Sequence, residues 1–414
     1  MNRGPLEGRA GIILSRVQNE IQLPPLANVP VVRIEDVLEQ HTHGLVIDLR
    51  SPGEYAHDHV PGALNVPLLD DAGRALVGLA YTQESPGAGF QHGQALIEAR
   101  IAELVQEVAE LAAWDAPTLD PARVVRAATQ AGLEELDALV APQLPSSLEQ
   151  GAVVLHCWRG GLRSRSVVGL LRAMGLDRAV GLHGGYKAYR SLVIEELEQW
   201  SSRQTYVLRG LTGVGKTLVL REIERLRPGW TLDLEGCAGH RSSLLGMVGL
   251  DPVSQKEFES RMGTCLRHRP VGPLVLEGES RRVGDAVIPA PVWAALDGGE
   301  NLLLRADIPR RIEVLATDYL AQTKALPKLR EQLIKVEERM QGTPDLPGLL
   351  DAGRIDELVK LLLTDYYDPL YLHSEVGRSY ACEIDASDVG QAALDVVDWI
   401  EGSAEIKTAG ANHA

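Results

Sequence analysis

The sequence predicts an α/β protein of two successive sheet-containing units, closed by a helical carboxyl-terminal region. Two observations predict it. Short apolar runs of strand length alternate with segments whose apolar residues recur every three or four positions. Two of those runs end in glycine-rich loops, at 157–164 and 210–217, and a helix-forming stretch follows each loop. A strand that feeds a glycine loop and then a helix is typical of parallel sheets, whose carboxyl ends face ligand.

The elements follow in order. Residues 1–30 form an extension ending in LPPLANVP, punctuated by proline. The first unit is expected over 31–200, with a helical insertion at about 92–148. Within it, VVRIEDVLEQ from Val31 reads as strand and helix, GLVIDLRS at 44–51 as a buried strand ending in charge, and GALNVP at 62–67 as a shorter strand. The apolar spacing of 92–113 predicts a long amphipathic helix, with a second helical stretch at about 121–141. GAVVLH then runs into Cys157, SVVGLLRAMG makes a helix stopping near Gly175, and AVGLHGGYKAYRSLV supplies strand, turn and helix.

The second unit is expected over 201–340. TYVLRGLTGVGKTLVLREIERLR is strand, glycine loop and helix, and WTLDLEG, PLVLEGES and NLLLRADIP are further strands. Residues 341–414 read as helical, passing through YYDPLY at 366–371 to a flexible tail, IKTAGANHA.

Composition narrows the setting. The 41 basic and 57 acidic residues give a net charge of −16, which offers nucleic acid no global attraction. An RNA partner therefore needs a local basic surface, and RGGLRSRS, RMGTCLRHR and the pair Arg281-Arg282 are the arginine-rich stretches. Cys157, Cys237, Cys265 and Cys382 contain no C-x-x-C pair, which argues against a disulfide framework or structural zinc and for a reducing cytoplasm. The amino-terminal apolar stretch is too short for a signal peptide. No apolar run approaches the ~18 residues that span a bilayer, so no membrane association is expected.

The chemistry concentrates in the two loops. Cys157 ends an apolar strand and is followed by Arg159, Gly160, Gly161, Arg163 and Ser164. The glycines let successive N–H groups turn inward as an anion nest, and an arginine with the following helix amino terminus draws the thiol toward thiolate. The spacing His156-Cys157-x5-Arg163-Ser164 resembles the cysteine phosphatase signature as well as a rhodanese loop, in which the thiolate accepts sulfur or selenium. Upstream, IDLRSPGEY with PGALNVP looks like the rhodanese signature, and VGLHGGY resembles the segment that follows its active loop. His156 is expected to be a sheet residue, and Cys237, Cys265 and Cys382 structural. The second loop is a full G-x-x-x-x-G-K-T: Gly210, Gly213, Gly215, Lys216 and Thr217 are positioned to grip a di- or triphosphate, with Mg²⁺ at Thr217. Asp233, Glu277 and Arg281 are candidate supports, Glu279 lies close by, and a plain strand-end aspartate is missing from PLVLEGES.

A rhodanese-like domain followed by a P-loop domain resembles the tRNA 2-selenouridine synthase family. Carrying the resemblance are IDLRSPGEY, CWRGGLRS, GGYKAYR, GLTGVGKT, DLEGCAGHRSS, EGESRRVG and YYDPLY. It implies a two-step exchange on thiolated wobble uridine of tRNA. The sulfur is geranylated from geranyl diphosphate, and selenium from selenophosphate then replaces the geranylthio group to give 2-selenouridine. Cys157 matches the cysteine expected to carry selenium as a perselenide. Gly160, Gly161, Arg163 and Ser164 match its selenophosphate cradle, and Gly213, Gly215, Lys216 and Thr217 the phosphate loop. The implied partners are tRNA and the selenophosphate donor, with no tightly bound cofactor. From the residues, a rhodanese-type sulfurtransferase with a nucleotide-regulated P-loop domain is the alternative. Tyr366, Tyr367 and Tyr371 are expected to pack a carboxyl-terminal helix rather than stack on bases.

Overall fold

The computed structural model describes residues 28–411 apart from 40–43, 119, 130–131, 144–146, 203, 244, 321–325, 341–344 and 376. Residues 1–27 of the expected extension thus lie outside the described residues. Two compact units divide at Leu192 and Val193.

The first unit is built on strands β1 (Val29–Val32), β2 (Gly44–Asp48), β3 (Leu64–Asn65), β4 (Pro142–Gln143), β5 (Ala152–His156) and β6 (Ala179–Leu182). They form one parallel sheet in the order β3-β2-β5-β6-β1-β4. All five residues of β5 are buried, as suits a central parallel strand covered on both faces. The helix Leu162–Ala173 packs on β5 and β6, then touches helix Pro121–Thr129, which touches the long helix Pro86–Leu111, which touches Asp71–Gln83. The long helix buries Ile101, Leu104, Val105 and Val108, the three- and four-residue spacing of a core-facing stripe.

Boundaries differ from expectation where local capping intervenes. The long helix starts at Pro86, six residues early, because Ser85 caps it by accepting from the Ala88 N–H and proline suits its first turn. The helix Asp71–Gln83 was not expected; Asp70 caps it by accepting from the Gly73 N–H at 2.7 Å. The stretch at 121–141 is two helices, Pro121–Thr129 and Leu133–Leu139, with Gly132 at φ +99° before the second.

The second unit carries β7 (Thr205–Arg209), β8 (Thr231–Leu232), β9 (Leu274–Glu277), the hairpin β10 (Arg282–Val283) and β11 (Ala286–Val287), β12 (Glu300–Arg305) and β13 (Cys382–Asp385). The main sheet is parallel, in the order β13-β12-β7-β9-β8. β13 falls in a region expected to be wholly helical. Its four residues are too few to show a period, and register with β12, Leu302 to Cys382 onward, makes the strand. The last helix, Val389–Ala411, extends through much of the expected tail and packs Ala393, Val396 and Ile400 into the core around this sheet. A separate core joins Leu333, Leu346, Leu358 and Leu363 among the carboxyl-terminal helices. No described helix is long and apolar enough to cross a membrane.

Candidate functional site

Cys157 stands directly after β5, and its carbonyl and that of Trp158 accept the N–H groups of Tyr186 and Lys187 at 3.0 and 2.9 Å. The GGY segment is thereby laid against the thiol loop. Only glycine permits this approach. Gly185 has φ +59°, and a Cβ there would lie 2.3 Å from the Gly160 nitrogen and 2.4 Å from the Cys157 oxygen. Gly185→Ala is therefore expected to lower stability by about 2 kcal/mol or more through strain and clash. A thermal melt would show it, and an unchanged Tm would remove this account of the paired loops.

The IDLRS signature supports the same corner from below. Arg50 is buried, donates through Nε and Nη2 to the carboxylate of Asp48, and donates to the Asp58 carbonyl at 2.7 Å. Its guanidinium lies 3.7 Å from the centre of the Tyr186 ring, whose hydroxyl donates to Asp58 at 2.6 Å. These residues hold the two loops in register through a buried network of hydrogen bonds and an ion pair. His156 is fully buried in the sheet, its Nδ1 3.8 Å from Asp48, and burial keeps its pKa below the usual value. It is a neutral sheet residue with no reach to the loop's mouth.

At the thiol, Sγ lies 3.3 Å from the Ser164 hydroxyl. Burial raises the pKa of Cys157, but the Arg163 charge, the Ser164 hydroxyl and the N–H groups of Ser164 and Arg159 outweigh it and bring the thiol below its ordinary value. Among the described residues neither Arg159 nor Arg163 is held in an ion pair, which leaves both for an incoming anion. Gly160 has φ +61°, and Gly161 precedes the first turn of helix Leu162–Ala173. All six predicted loop residues are therefore brought together. Because the thiolate persists to lower pH, alkylation of Cys157 by iodoacetamide, read at its own peptide, is expected to titrate at lower pH than that of the Cys382 peptide, whose thiol burial raises. Arg163→Met is expected to move the midpoint upward; an unmoved midpoint would discharge Arg163 of that role. The loop also forms one end of a cavity of about 640 Å³.

The second loop leaves β7 and enters helix Lys216–Leu226, with Gly210, Gly213 and Gly215 all at positive φ. Lys216 Nζ donates to the Gly210 carbonyl at 3.0 Å. The Thr217 hydroxyl is 2.9 Å from Glu277 and 3.3 Å from Glu235. Glu235, Glu277 and Glu279 offer oxygens all within 4.8 Å of one another. Burial, then the Glu235, Asp233 and Glu279 charges, raise Glu277; burial with the Asp233 charge raises Glu235; and Glu279 reaches about 7 by burial and then the Glu235 charge. One oxygen of Glu277 is buried without a hydrogen bond. An all-oxygen donor set of this kind beside a phosphate loop fits Mg²⁺, whose charge would reverse the repulsion.

Two predicted supports sit elsewhere. Asp233 caps helix Leu234–Ala238 by accepting from the Gly236 N–H at 2.6 Å, and pairs with Arg221 at 3.3 Å. Strand β8 stops at Leu232, so the helix begins early and turns Glu235 toward Thr217 instead. Arg281 is exposed, and its neighbour Arg282 lines the cleft of about 1320 Å³ around the P-loop.

Sequence reasoning missed a brace behind this loop. Arg311, nearly inaccessible, donates to the Thr212 carbonyl at 2.8 Å and pairs with Asp368. The Gly210 N–H donates to the Tyr371 hydroxyl at 3.0 Å, and Lys216 Nζ lies 5.6 Å from that ring's centre. Both partners come from YYDPLY. Of its tyrosines, Tyr367 is buried as expected, whereas Tyr371 serves the phosphate loop. Cys265, expected to be structural, is exposed and accepts from the Cys237 thiol, which brings it to about 7.

Comparison with known proteins now adds to this geometry. A family model described as tRNA 2-selenouridine synthase AAA domain matches residues 203–343, and one described as rhodanese-like domain matches 34–192. A tRNA 2-selenouridine synthase of Cupriavidus necator is 31% identical over 358 residues, covering 79% of this chain and 87% of the relative. The chain belongs to the tRNA 2-selenouridine synthase family. Other members are similar over comparable lengths. That of Chromohalobacter salexigens is 31% identical, covering 86% of this chain and 91% of its own, and that of Pseudomonas fluorescens is 30% identical, covering 84% and 93%. Family membership thus spans both loops, and the parallel α/β units with a helical carboxyl-terminal region are the fold that carries them.

Proposed function

We propose that this chain is a tRNA-modifying transferase that converts 2-thiouridine at the wobble position to 2-selenouridine, with tRNA as partner and the cytoplasm as its setting. The observation that carries the proposal is Cys157, a thiol poised toward thiolate at the end of an anion loop, in a chain that also carries a complete phosphate loop. Geranyl diphosphate is the ligand proposed for the P-loop. Attack of the uridine sulfur on its first carbon expels diphosphate, and loop N–H groups with Lys216 stabilise the charge that develops on the leaving oxygen. Thr217, Glu235, Glu277 and Glu279 would hold a divalent cation, which would supply further neutralisation of the phosphates. Selenophosphate is the proposed anion of the Cys157 loop, held by Arg159, Arg163 and the amides of 160–164. The Cys157 thiolate attacks the phosphorus of selenophosphate and releases the selenium as hydroselenide. Hydroselenide adds at carbon 2, the geranylthio group leaves as the thiol, and water hydrolyses the S-phosphocysteine to phosphate.

The test supplies thiolated tRNA with geranyl diphosphate and selenophosphate, singly and together, and reads nucleosides by mass spectrometry. Geranyl diphosphate alone is expected to give the S-geranyl nucleoside, and both together 2-selenouridine. Absence of both products would sink the reading. Sulfur transfer from thiosulfate that depends on Cys157, without selenium incorporation, would install the sulfurtransferase in its place.

A further inference from the structure

The cavity beside the thiol loop is far larger than a selenophosphate needs and has the wrong lining for one. One end is Cys157, Arg159 and Arg163. The rest is walled mostly by apolar side chains from five helices, among them Val77, Phe90, Ile97, Val125, Leu136 and Leu162, with Glu54, Arg74, Gln94, Thr129 and Ser166 as polar members of the lining. Most of the apolar ones are only half-buried, packed against the core on one side and turned to the opening on the other. A concave, mostly apolar cleft of about 640 Å³, open to solvent and lined in part by a reactive sulfur, suits a hydrocarbon carried by a group that reacts there.

We infer that this cavity binds the isoprenoid chain of the S-geranylated uridine, and so sets carbon 2 of the base beside the Cys157 sulfur. The inference rests on the proposed two-step exchange and names a second lipid-binding site for it, apart from the P-loop. Size agrees: an apolar cavity of 150 Å³ admits benzene, so a ten-carbon chain needs roughly 250 Å³ and the remainder takes the pyrimidine. Polarity agrees as well, because the walls are mostly apolar and the base has Arg159 and Arg163 beside Cys157 to meet. The geranyl group is then more than a leaving group. Burying it selects the alkylated nucleoside over unmodified thiouridine, since each buried methylene contributes favourably to binding. The helices Asp71–Gln83, Pro86–Leu111 and Pro121–Thr129 become the wall of a substrate site rather than a covering for the sheet.

The test uses the full-length chain and simple thioether probes that need no catalysis: dimethyl sulfide, prenyl methyl sulfide and geranyl methyl sulfide. Binding is read by equilibrium dialysis and by protection of the Cys157 peptide from iodoacetamide. Affinity is expected to rise at least tenfold from the methyl to the geranyl compound, with parallel protection of Cys157. Ala128→Trp and Val77→Phe, from different walls and checked for an unchanged melt, are expected to weaken geranyl binding at least tenfold. In the same variants the native preference for S-geranyl over S-methyl tRNA in selenation is expected to collapse. Affinity independent of chain length in the native protein overturns the inference, whether or not the variants fold. So does geranyl binding untouched by both folded variants. If the native chain binds the thioether with this length dependence but makes no selenouridine, the cavity assignment stands and the two-step reading falls.

Discussion

Cys157→Ala is expected to abolish 2-selenouridine formation while the S-geranyl nucleoside accumulates. The effect should be large, about a thousandfold or more in rate, because loss of a covalent nucleophile leaves only binding and charge stabilisation behind. The fold should tolerate the change. The Cys157 sulfur meets the Ser164 hydroxyl and the N–H groups of Ser164 and Arg159, and that hydroxyl also donates to the Gly161 carbonyl, so it is not orphaned. The backbone contacts that hold the loop, from Tyr186 and Lys187, use main-chain atoms that alanine keeps. Accumulation of the geranylated base is the informative part, since it separates the thiol from the alkylation step. Loss of both products together, with the melt unchanged, would show that the thiol is needed before geranylation and would reverse the proposed order.

Lys216→Ala should fail at the opposite step. Geranylation is expected to fall by about a hundredfold to a thousandfold, the scale of removing one donor that meets developing charge. Selenation of tRNA already carrying the S-geranyl group should proceed. The lysine also acts on its neighbours: its charge lowers the pKa of Glu235, Glu277 and Glu279 against the burial that raises them. Without it those carboxylates hold protons to higher pH, and a divalent cation must compete with more of them. Residual geranylation should therefore improve as pH rises and as Mg²⁺ is added. Mass spectrometry of nucleosides across pH and Mg²⁺ concentration reads this directly. Undiminished geranylation by the alanine variant would take geranyl diphosphate out of the P-loop.

The sequence disclosed both loops because each is a local pattern, in which the glycines and the reactive or charged residues lie within eight positions. The surrounding support is long-range and was less visible. Arg50 and Tyr186 were quoted as signature residues, yet their stacking across 136 positions is a product of the sheet order. Asp233 read as the end of a strand because TLDL is apolar and alternating; the same aspartate is a good helix cap, and capping prevailed once β8 ended at Leu232. Glu235 was passed over because it follows that residue by two, a spacing that only a helical turn brings to Thr217. Nothing local marked Arg311, and Tyr371 read as packing because a tyrosine in a helical segment usually is. The cavity could not be read at all. Its walls come from five helices, one of them unexpected, and a cleft is a property of what fails to meet.

The brace from Asp368 and Tyr371 has a consequence for how the molecule is made. Ribosomes deliver chains from the amino end, and units generally fold as they emerge. The thiol loop and every strand of its sheet precede residue 193, so that unit has all its parts early. The phosphate loop at 210–217 must wait. Its main-chain groups are met by Arg311, 99 positions after Thr212, and by Tyr371, 161 positions after Gly210, and β13, the edge of its sheet, arrives at 382–385. A chain released prematurely therefore carries a finished sulfur chemistry beside an unfinished phosphate grip. Under the proposed two-step exchange such a fragment would lack the means of starting the reaction whose second half it is equipped to perform, and the first modification of each tRNA would wait on completion of the chain.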